Sequence, residues 1–454
     1  MDERIEKPRN PIIEGKIFPA LIKFTIPLAL AFLLQALYGA VDLIVVGQFG
    51  STASVSAVAN GSQIMRTVTD IVLGLSMGVT VMVGHAIGAG DDEKAACTVG
   101  AMVKLFTVTA LVLSLGVALF ARQLAALMHV PADAVAKTID YLHICGVGMI
   151  FVVAYNAISS LFRGIGDSKS PLLFIFIAAL ANVVLDLLFV GVFHMDVAGA
   201  ALATILAQAI SVAFSLIKML KGGLPFKVEK RHFKNTGKTA LGISKIGAPL
   251  AFQQLMVSGS FLIIMAIVNN VGLVESASIG IAEKMFVFLA MVPLSFMSSL
   301  SAFTAQNIGA KREDRAIKAL KMAMIVSVIY GTIMTYITMF HGQFLAGFFD
   351  NDPLVIQATG EYLRGASPEY ILIAITFCLL GYFNGLSKTT FVLLEGLVTS
   401  FCVRIPLSFY FSTWEYHPLF MIALSVTITA IIGVSMCIVY YFIVKKQRRN
   451  LDKQ

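Results

Sequence analysis

The sequence predicts an all-α integral membrane protein with twelve transmembrane helices, arranged as two pseudo-symmetric six-helix bundles around a central cavity. Three observations predict this fold: an apolar composition, twelve long apolar segments, and a second half that repeats the first. Of the 454 residues, 58% are hydrophobic and 13% are charged, whereas soluble proteins carry about 25% charged residues. A single soluble core cannot bury this much apolar sequence, but a lipid bilayer can.

The apolar segments are each long enough for a membrane span, which needs about 20 apolar residues. Turns rich in Gly, Pro and Asp separate them. The segments cover approximately residues 18–47, 55–84, 95–120, 137–162, 171–193, 197–219, 243–270, 277–306, 318–341, 355–386, 389–412 and 417–444. Because twelve is an even number, both chain termini are expected on the same side of the membrane.

Basic residues identify that side. Most Lys and Arg lie at the two termini and in the loops near positions 91, 166, 230, 312 and 388, whereas the loops near 50, 194, 272, 346 and 415 carry none. This bias predicts that both termini are cytoplasmic and that the protein lies in the cell membrane (inner or plasma). It also accounts for the net charge of +8 without a nucleic-acid partner. The expected partners are therefore the lipid bilayer and a small-molecule substrate.

The second half of the chain repeats the first at an offset near 221 residues. Lys23–Ala29 corresponds to Lys245–Ala251, and Ile87–Ala89 corresponds to Ile308–Ala310. Six spans per half give both halves the same orientation, so an axis along the membrane normal should relate them.

These repeats predict the domain organisation. Residues 1–222 form an N-terminal lobe, residues 223–240 a cytoplasmic linker, and residues 241–454 a C-terminal lobe. Because the duplicated halves already supply each other with a partner surface, a monomer is the simplest expectation.

Polar residues inside the apolar segments are the first functional candidates, because an ionisable group at membrane depth is costly and usually faces a cavity or a partner. Asp42 lies late in the first segment. Asn182 and Asp186 are four residues apart and share one helical face, while Asn156 and Thr204 lie in neighbouring segments. Carboxylate, amide and hydroxyl oxygens suit a proton network or a weakly held Na⁺. The alternatives are a hydrated carboxylate at the outer interface and ordinary hydrogen bonds between helices.

A second group of residues is predicted to line a substrate cavity. Arg66 and Asp70 are four residues apart, so an intramembrane ion pair is the first interpretation. Gln35, Glu283 and Met285 are the other candidates. Met285 is included because methionine adapts to varied ligands. For most methionines, ordinary helix packing is the competing interpretation.

Three further ionisable residues, Glu369, Glu395 and Arg404, lie in the tenth and eleventh segments and are weaker candidates, because long side chains near the interface can snorkel. The His residues have no metal-ligand spacing, and the HExxH and Walker A motifs are missing from the sequence. The chain is therefore not expected to be an enzyme.

Four motifs resemble those of the multidrug and toxic compound extrusion (MATE) transporters. They are Val41–Gly47, Gly84–Gly90, the R-G-x-G-D-S-K stretch at 163–169 that leads into N-x-x-x-D at 182–186, and Ala305–Ala310. The resemblance implies a V-shaped pair of six-helix lobes that exports drugs and metabolites, coupled to H⁺ or Na⁺ with no other cofactor. Lipid-linked precursor flippases share these lobes and are the alternative, although they often have fourteen spans and a basic cavity.

The resemblance also implies a coupling site in the N-terminal lobe. The matching positions are Asp42, Asn156, Asn182, Asp186 and Thr204, and a Na⁺ ion would be held by all of them except Asn156. Some members carry an acidic residue in the seventh span for a C-lobe Na⁺ site. The corresponding position falls near Val257, so a C-lobe site of that kind is not expected.

Overall fold

The computed structural model describes residues 10–414 and 418–451. The outermost residues of both predicted cytoplasmic termini and part of the loop near 415 lie outside the described residues. Within the described part of the chain, all regular secondary structure is helical, as the sequence predicts.

Seventeen α-helices account for most of the described chain. They are α1 Pro11–Glu14, α2 Ile17–Phe49, α3 Thr52–Ala89, α4 Asp92–Leu127, α5 Ala132–Val147, α6 Met149–Ile165, α7 Lys169–Asp186, α8 Asp196–Lys218, α9 Gly237–Asn269, α10 Leu273–Leu289, α11 Met291–Gly309, α12 Glu313–Ala346, α13 Pro353–Ala366, α14 Glu369–Gly385, α15 Thr389–Leu397, α16 Ile405–Ser412 and α17 Pro418–Leu451. Three further segments are π-helical. Leu187–Val192 extends α7, Met219–Gly223 extends α8, and Val398–Arg404 joins α15 to α16.

Nine helical segments of the described chain are long and apolar enough to cross a membrane, and three bent helix pairs bring the number to twelve if each pair is one span. The pairs are α5–α6, bent by 52°, α10–α11, bent by 48°, and α13–α14, bent by 52°. These spans coincide with the twelve predicted segments, so the predicted fold class is confirmed. The bends were not predicted. Two of them, in the fourth and tenth spans, occupy corresponding positions in the two halves.

Local sequence signals set the ends of the first spans. Ser51 begins α3 with a capping box, in which its side chain accepts a hydrogen bond from the backbone N–H of Ser54. Gly90 ends that helix with φ +70°, a left-handed conformation that favours glycine. Asp91 then caps α4 by accepting from the N–H of Lys94 at 2.9 Å. The tight turn keeps α3 and α4 antiparallel and adjacent.

The two halves contact each other on the side of the membrane that holds the chain termini. Gly74 of α3 lies directly against the backbone of Leu250 and Ala251 in α9. Further along α3, Gly88 lies against the backbone of Gln306 in α11. Small residues allow such close backbone approach between membrane helices. The structure is therefore closed between the halves on the termini side.

The short helix α1 lies across this junction. Asn10 caps it by accepting from the N–H of Ile12 at 3.0 Å, and the Asn10 amide donates to Gln306 Oε1 at 3.0 Å. Arg315 of α12 donates to the carbonyl oxygens of Ile12 and Gly15 at 3.2 and 2.8 Å. Ile12 is 3% exposed. Gln306 in turn donates to a carbonyl oxygen of the first half, that of residue 164, at 2.8 Å.

The connection between the halves is docked onto the first half. A short 3-10 turn, Lys230–Phe233, places Arg231 and His232 against Glu93 at the start of α4, with N–O distances of 3.0 and 3.2 Å. His232 is 3% exposed. The predicted linker boundaries at 223 and 240 stay a prediction.

Candidate cation and substrate sites

Three helices of the first half bring four of the predicted coupling residues together. Asp42 comes from α2, Asn182 and Asp186 from α7, and Thr204 from α8. Both aspartates and Asn182 are buried, with exposed fractions of 3%, 0% and 0% for Asp42, Asn182 and Asp186. The Thr204 hydroxyl lies 3.2 Å from Asp42 Oδ2, and the Asp42 carboxyl also interacts with Asp186 and Asn182. The result is a buried pair of carboxyl groups surrounded by neutral oxygen and amide groups.

Much of the polar capacity of this cluster is unused. Asp42 Oδ1, both carboxyl oxygens of Asp186 and both polar side-chain atoms of Asn182 have no partner with normal hydrogen-bond geometry among the described residues. No described Lys or Arg forms an ion pair with either aspartate. Buried carboxylates without a cation are costly, by several kcal/mol. The set of carboxyl, amide and hydroxyl oxygens therefore fits a bound proton or a hard cation such as Na⁺.

Two irregular features of α7 and α2 lie next to this cluster. α7 ends at Asp186 and continues as the π-helical segment Leu187–Val192; π-helical turns frequently occur at functional positions. On α2, a Cβ at Gly39 would meet no atom of the described residues within 4 Å apart from its own helix backbone. α2 therefore has free space one turn before Asp42.

Tyr38 is a member of this cluster that the sequence reasoning missed. Its hydroxyl lies 3.5 Å from the backbone oxygen of Thr204, and it interacts with both Asp42 and Asp186. The signal was present in the sequence, because Tyr38 precedes Asp42 by four residues and therefore lies on the same helical face.

Asn156 lies apart from the cluster. Its amide donates to the Val152 carbonyl oxygen within α6 at 2.8 Å. Its side chain lines a separate cavity between α2, α3, α6 and α7, whose empty space is about 380 Å³ when the open solvent at its mouth is included. Gln35, a predicted cavity residue, lines the same space, as does the buried Arg163. Gln35 precedes Asp42 by seven residues, which places the cavity about 10 Å along α2 from the carboxyl pair.

The remaining substrate candidates lie near the junction of the halves or in the second half. Glu283 lines a cavity in the second half, whose empty space is about 500 Å³ when the open solvent at its mouth is included. Met285, two residues later, is buried in an apolar cluster with Ile281 and is not part of that lining. Arg66 and Asp70 attract each other but do not form a close salt bridge, and Arg66 also attracts Glu283 across the junction.

Twelve apolar spans in two repeated halves, with buried charged and amide groups inside them, define a multi-pass membrane transporter. The chain belongs to the MatE family, whose sequence profile matches residues 27–188 and again residues 249–410. The family indicated by the sequence motifs is thereby confirmed, and the two matches fall one in each half.

Named relatives and solved structures agree with this family. Over 404 residues the chain is 28% identical to the "Probable multidrug resistance protein YpnP" of Bacillus subtilis (strain 168), covering 88% of this chain and 90% of that protein. It is 23% identical to an "FAD transporter" of Shewanella oneidensis, covering 88% and 90%. Its fold is similar to a multidrug resistance MATE family transporter solved in an outward-facing conformation, with a TM-score of 0.89, 18% identity, and coverage of 95% of this chain and 96% of that one.

Proposed function

We propose that the protein is a secondary active antiporter of the cell membrane, which exports small organic drugs or metabolites, often cationic, in exchange for H⁺ or Na⁺ by alternating access. The observation that carries the proposal is the buried Asp42–Asp186 pair, which has unused oxygen atoms and no basic partner among the described residues. Relatives named as multidrug resistance and multidrug export proteins support the substrate class.

The carboxyl pair provides the coupling. Two negative charges this close in a low-dielectric interior repel each other strongly. A proton on one carboxyl group or a Na⁺ ion held by Asp42, Asn182, Asp186 and Thr204 removes that repulsion. The free energy of the cluster therefore depends on whether the cation is bound, which is the property a coupling site needs.

α2 transmits the change, because it carries both Asp42 and the cavity-lining Gln35. Pro27 interrupts the hydrogen bonding of α2, and Gly39 leaves space around it, so the helix can bend or shift when the cluster loads its cation. Loading from outside favours substrate release, and the halves then rock to release the cation inside. Coupling requires that cation and substrate prefer different states, since equal affinity shifts no equilibrium.

The test is uptake of a fluorescent organic cation into inside-out vesicles under an imposed pH gradient or an imposed Na⁺ gradient. The variants are Asp42→Asn and the matched control Asp133→Asn, which changes an exposed aspartate at the start of α5. We expect one gradient to drive uptake in wild type and in Asp133→Asn, and uptake to be lost in Asp42→Asn. Wild-type uptake that no gradient drives would contradict antiport, and full uptake in Asp42→Asn would contradict the role of Asp42.

A second candidate function is the export or flipping of an anionic or lipid-linked metabolite precursor. Arg163 favours it. This residue lines the first-half cavity, is 8% exposed, and has an Nε atom without a hydrogen-bond partner among the described residues. The relative named an FAD transporter supports an anionic substrate class. The same vesicles loaded with an anionic fluorophore separate the two functions, because only the second predicts transport that depends on Arg163.

A further inference from the structure

One face of α6 presents polar groups to the first-half cavity that the coupling cluster does not use. Tyr155, Ser159 and Arg163 are each four residues apart, so they lie on one helical face, and all three line this cavity. Each of these side chains can donate a hydrogen bond. Gln35 of α2 adds a side-chain amide to the same lining. Donor groups from two helices therefore surround one space.

Arg163 brings a positive charge into this space without a carboxylate to balance it. The residue is 8% exposed, and a guanidinium stays charged in proteins. None of the ion pairs in the described structure includes Arg163. The nearest acidic residue along the chain, Asp167, instead accepts hydrogen bonds from the backbone N–H groups of Lys169 and Ser170, both at 3.0 Å. The ionisable group beside the guanidinium is the phenol of Tyr155.

The helix backbone offsets only part of this charge. Arg163 lies in the last turn of α6, where the aligned peptide dipoles are equivalent to about half an elementary negative charge. A buried charge that is not fully compensated is costly. A further negative group is therefore expected in contact with Arg163.

Two donors in this cavity have no acceptor. Arg163 Nη2 donates to the Ser160 hydroxyl at 2.6 Å, but the buried Nε has no hydrogen-bond partner among the described residues. The buried Ser159 hydroxyl interacts with Tyr155 but forms no hydrogen bond of normal geometry within the described chain. Asn156 supplies no free donor nearby, because its amide already donates to a carbonyl oxygen of α6. A guanidinium N–H and a hydroxyl that both lack acceptors suit a bound anion.

The rest of the wall selects among anions. Leu28, Phe32 and Leu73 contribute apolar side chains to the lining. An apolar wall offers no hydrogen bonds to replace the hydration shell of a strongly hydrated dianion such as sulfate. One guanidinium also balances a single negative charge. The lining therefore favours a weakly hydrated monovalent anion.

We propose that Arg163, Ser159 and Gln35 bind a small monovalent inorganic anion, such as chloride, inside the first half. The Arg163 Nε–H and the Ser159 O–H donate to the anion. The bound anion neutralises Arg163, so an organic cation can enter the same half without repulsion from this arginine. The anion is a third ligand beyond the exchange proposed above, and its binding does not depend on which cation is coupled.

Anion binding and a purely structural role predict different effects of Arg163→Gln. A ligand that binds only the folded protein stabilises it, so chloride should raise the unfolding temperature of the wild type and not that of the variant. In a medium that contains gluconate instead of chloride, the variant lacks an unbalanced buried charge and should unfold at a higher temperature than the wild type. A purely structural arginine predicts a less stable variant in both media.

Ser159→Ala provides a second variant that keeps the buried charge. It removes one donor to a charged ligand, so chloride affinity should fall about tenfold. The matched control is Arg122→Gln, which changes an exposed arginine of α4. This control removes the same charge from the protein surface.

The experiment is broadening of the chloride NMR line by the purified full-length protein in lipid nanodiscs, with thermal unfolding in chloride and in gluconate measured in parallel. We expect saturable broadening in the wild type and in Arg122→Gln. Ser159→Ala should need about tenfold more chloride, and Arg163→Gln should show no saturable broadening. Sulfate should not displace chloride from the wild type.

Three results would overturn the proposal: saturable broadening that persists in Arg163→Gln, a wild-type unfolding temperature that chloride does not raise, or displacement of chloride by benzoate that the protein also transports. The last result would make Arg163 a contact for the acidic group of a substrate. Chloride binding without gradient-driven uptake of an organic cation would contradict antiport and leave the anion site standing.

Discussion

The substitution Gly74→Ala tests whether the closed junction between the halves can be opened by steric pressure alone. A methyl group at this position would lie 2.5–2.7 Å from backbone atoms of Leu250 and Ala251 in α9. Carbon atoms pack optimally at about 3.5–4.0 Å, so α3 and α9 must move apart by about 1 Å. Neither neighbour can yield by rotating a side chain, because the clashing atoms belong to the backbone.

The expected magnitude follows from the cost of overpacking, about 1–3 kcal/mol. This penalty applies only when the halves are closed on the termini side. The ratio of closed to open molecules should therefore fall roughly 5- to 150-fold. Gly116→Ala is the matched control, because a Cβ at Gly116 would meet no atom of the described chain within 4 Å apart from its own helix backbone. Both substitutions raise helix propensity by the same amount. A difference between the two variants in the ratio of closed to open molecules therefore reports the contact between α3 and α9.

The assay is electron–electron resonance distance measurement between spin labels at Lys169 and Lys388, which are exposed at the starts of α7 and α15 in opposite halves. The five native cysteines are replaced first. We expect one short distance in wild type and in Gly116→Ala, and an added longer population in Gly74→Ala. An unchanged distribution in Gly74→Ala would refute the inference that this contact holds the junction closed.

Four further predictions concern the coupling cluster, the first described residues and the topology. Asp186→Asn removes one of two buried like charges, so it should abolish gradient-driven uptake yet raise the thermal unfolding temperature of the purified protein. Thr204→Val should raise the half-saturating cation concentration about tenfold because a hydrogen bond to a carboxylate is lost, while Thr204→Ser should restore it; equal values for the two variants would exclude the hydroxyl. Arg315→Ala should increase hydrogen exchange in α1, which loses two hydrogen bonds; exchange as slow as in wild type would contradict this anchoring. A cysteine at position 388 should react with a membrane-impermeant maleimide only after permeabilisation, and labelling of intact cells would reverse the predicted orientation.

The fold could be predicted from the sequence because membrane spans are encoded locally. Each span needs its own apolar segment, and the repeat at an offset near 221 residues marks both halves. The bends were missed because they do not follow from apolarity. One lies at Gly148, where a Cβ would clash with Ile205 of α8, and its counterpart lies beside Pro368. Gly148 and Pro368 are nevertheless local signals that could have indicated these two bends, because glycine and proline commonly interrupt helices.

The candidate sites were predictable to the extent that helical periodicity controls them. Asn182 and Asp186 share a face because they are four residues apart, and Tyr38 could have been added to Asp42 by the same argument. Asn156 has the residue type expected at the family's coupling site, yet its side-chain amide donates to the Val152 carbonyl oxygen of its own helix. Rotamer choice depends on neighbours from other helices, so residue type alone could not place it.

The C-terminal cavity shows a further limit of sequence reasoning. Arg404 and Glu395 were noticed as ionisable residues of one segment, but Glu283 and Glu369 come from two other helices. Glu283, Glu369 and Arg404 line one cavity only because these elements pack together. The loose 3.8 Å approach of Arg404 to Glu369 depends on that packing as well.

The contacts of α1 have a consequence for biogenesis. Asn10 and Ile12 leave the ribosome well before the side chains that bind them, which belong to residues 306, 307 and 315, nearly 300 positions later in the chain. At about 5–20 residues per second, synthesis needs roughly 15–60 s to supply those partners. During this interval the nascent first half is inserted with α1 undocked. Docking of α1 therefore reports that the second half has arrived and assembled.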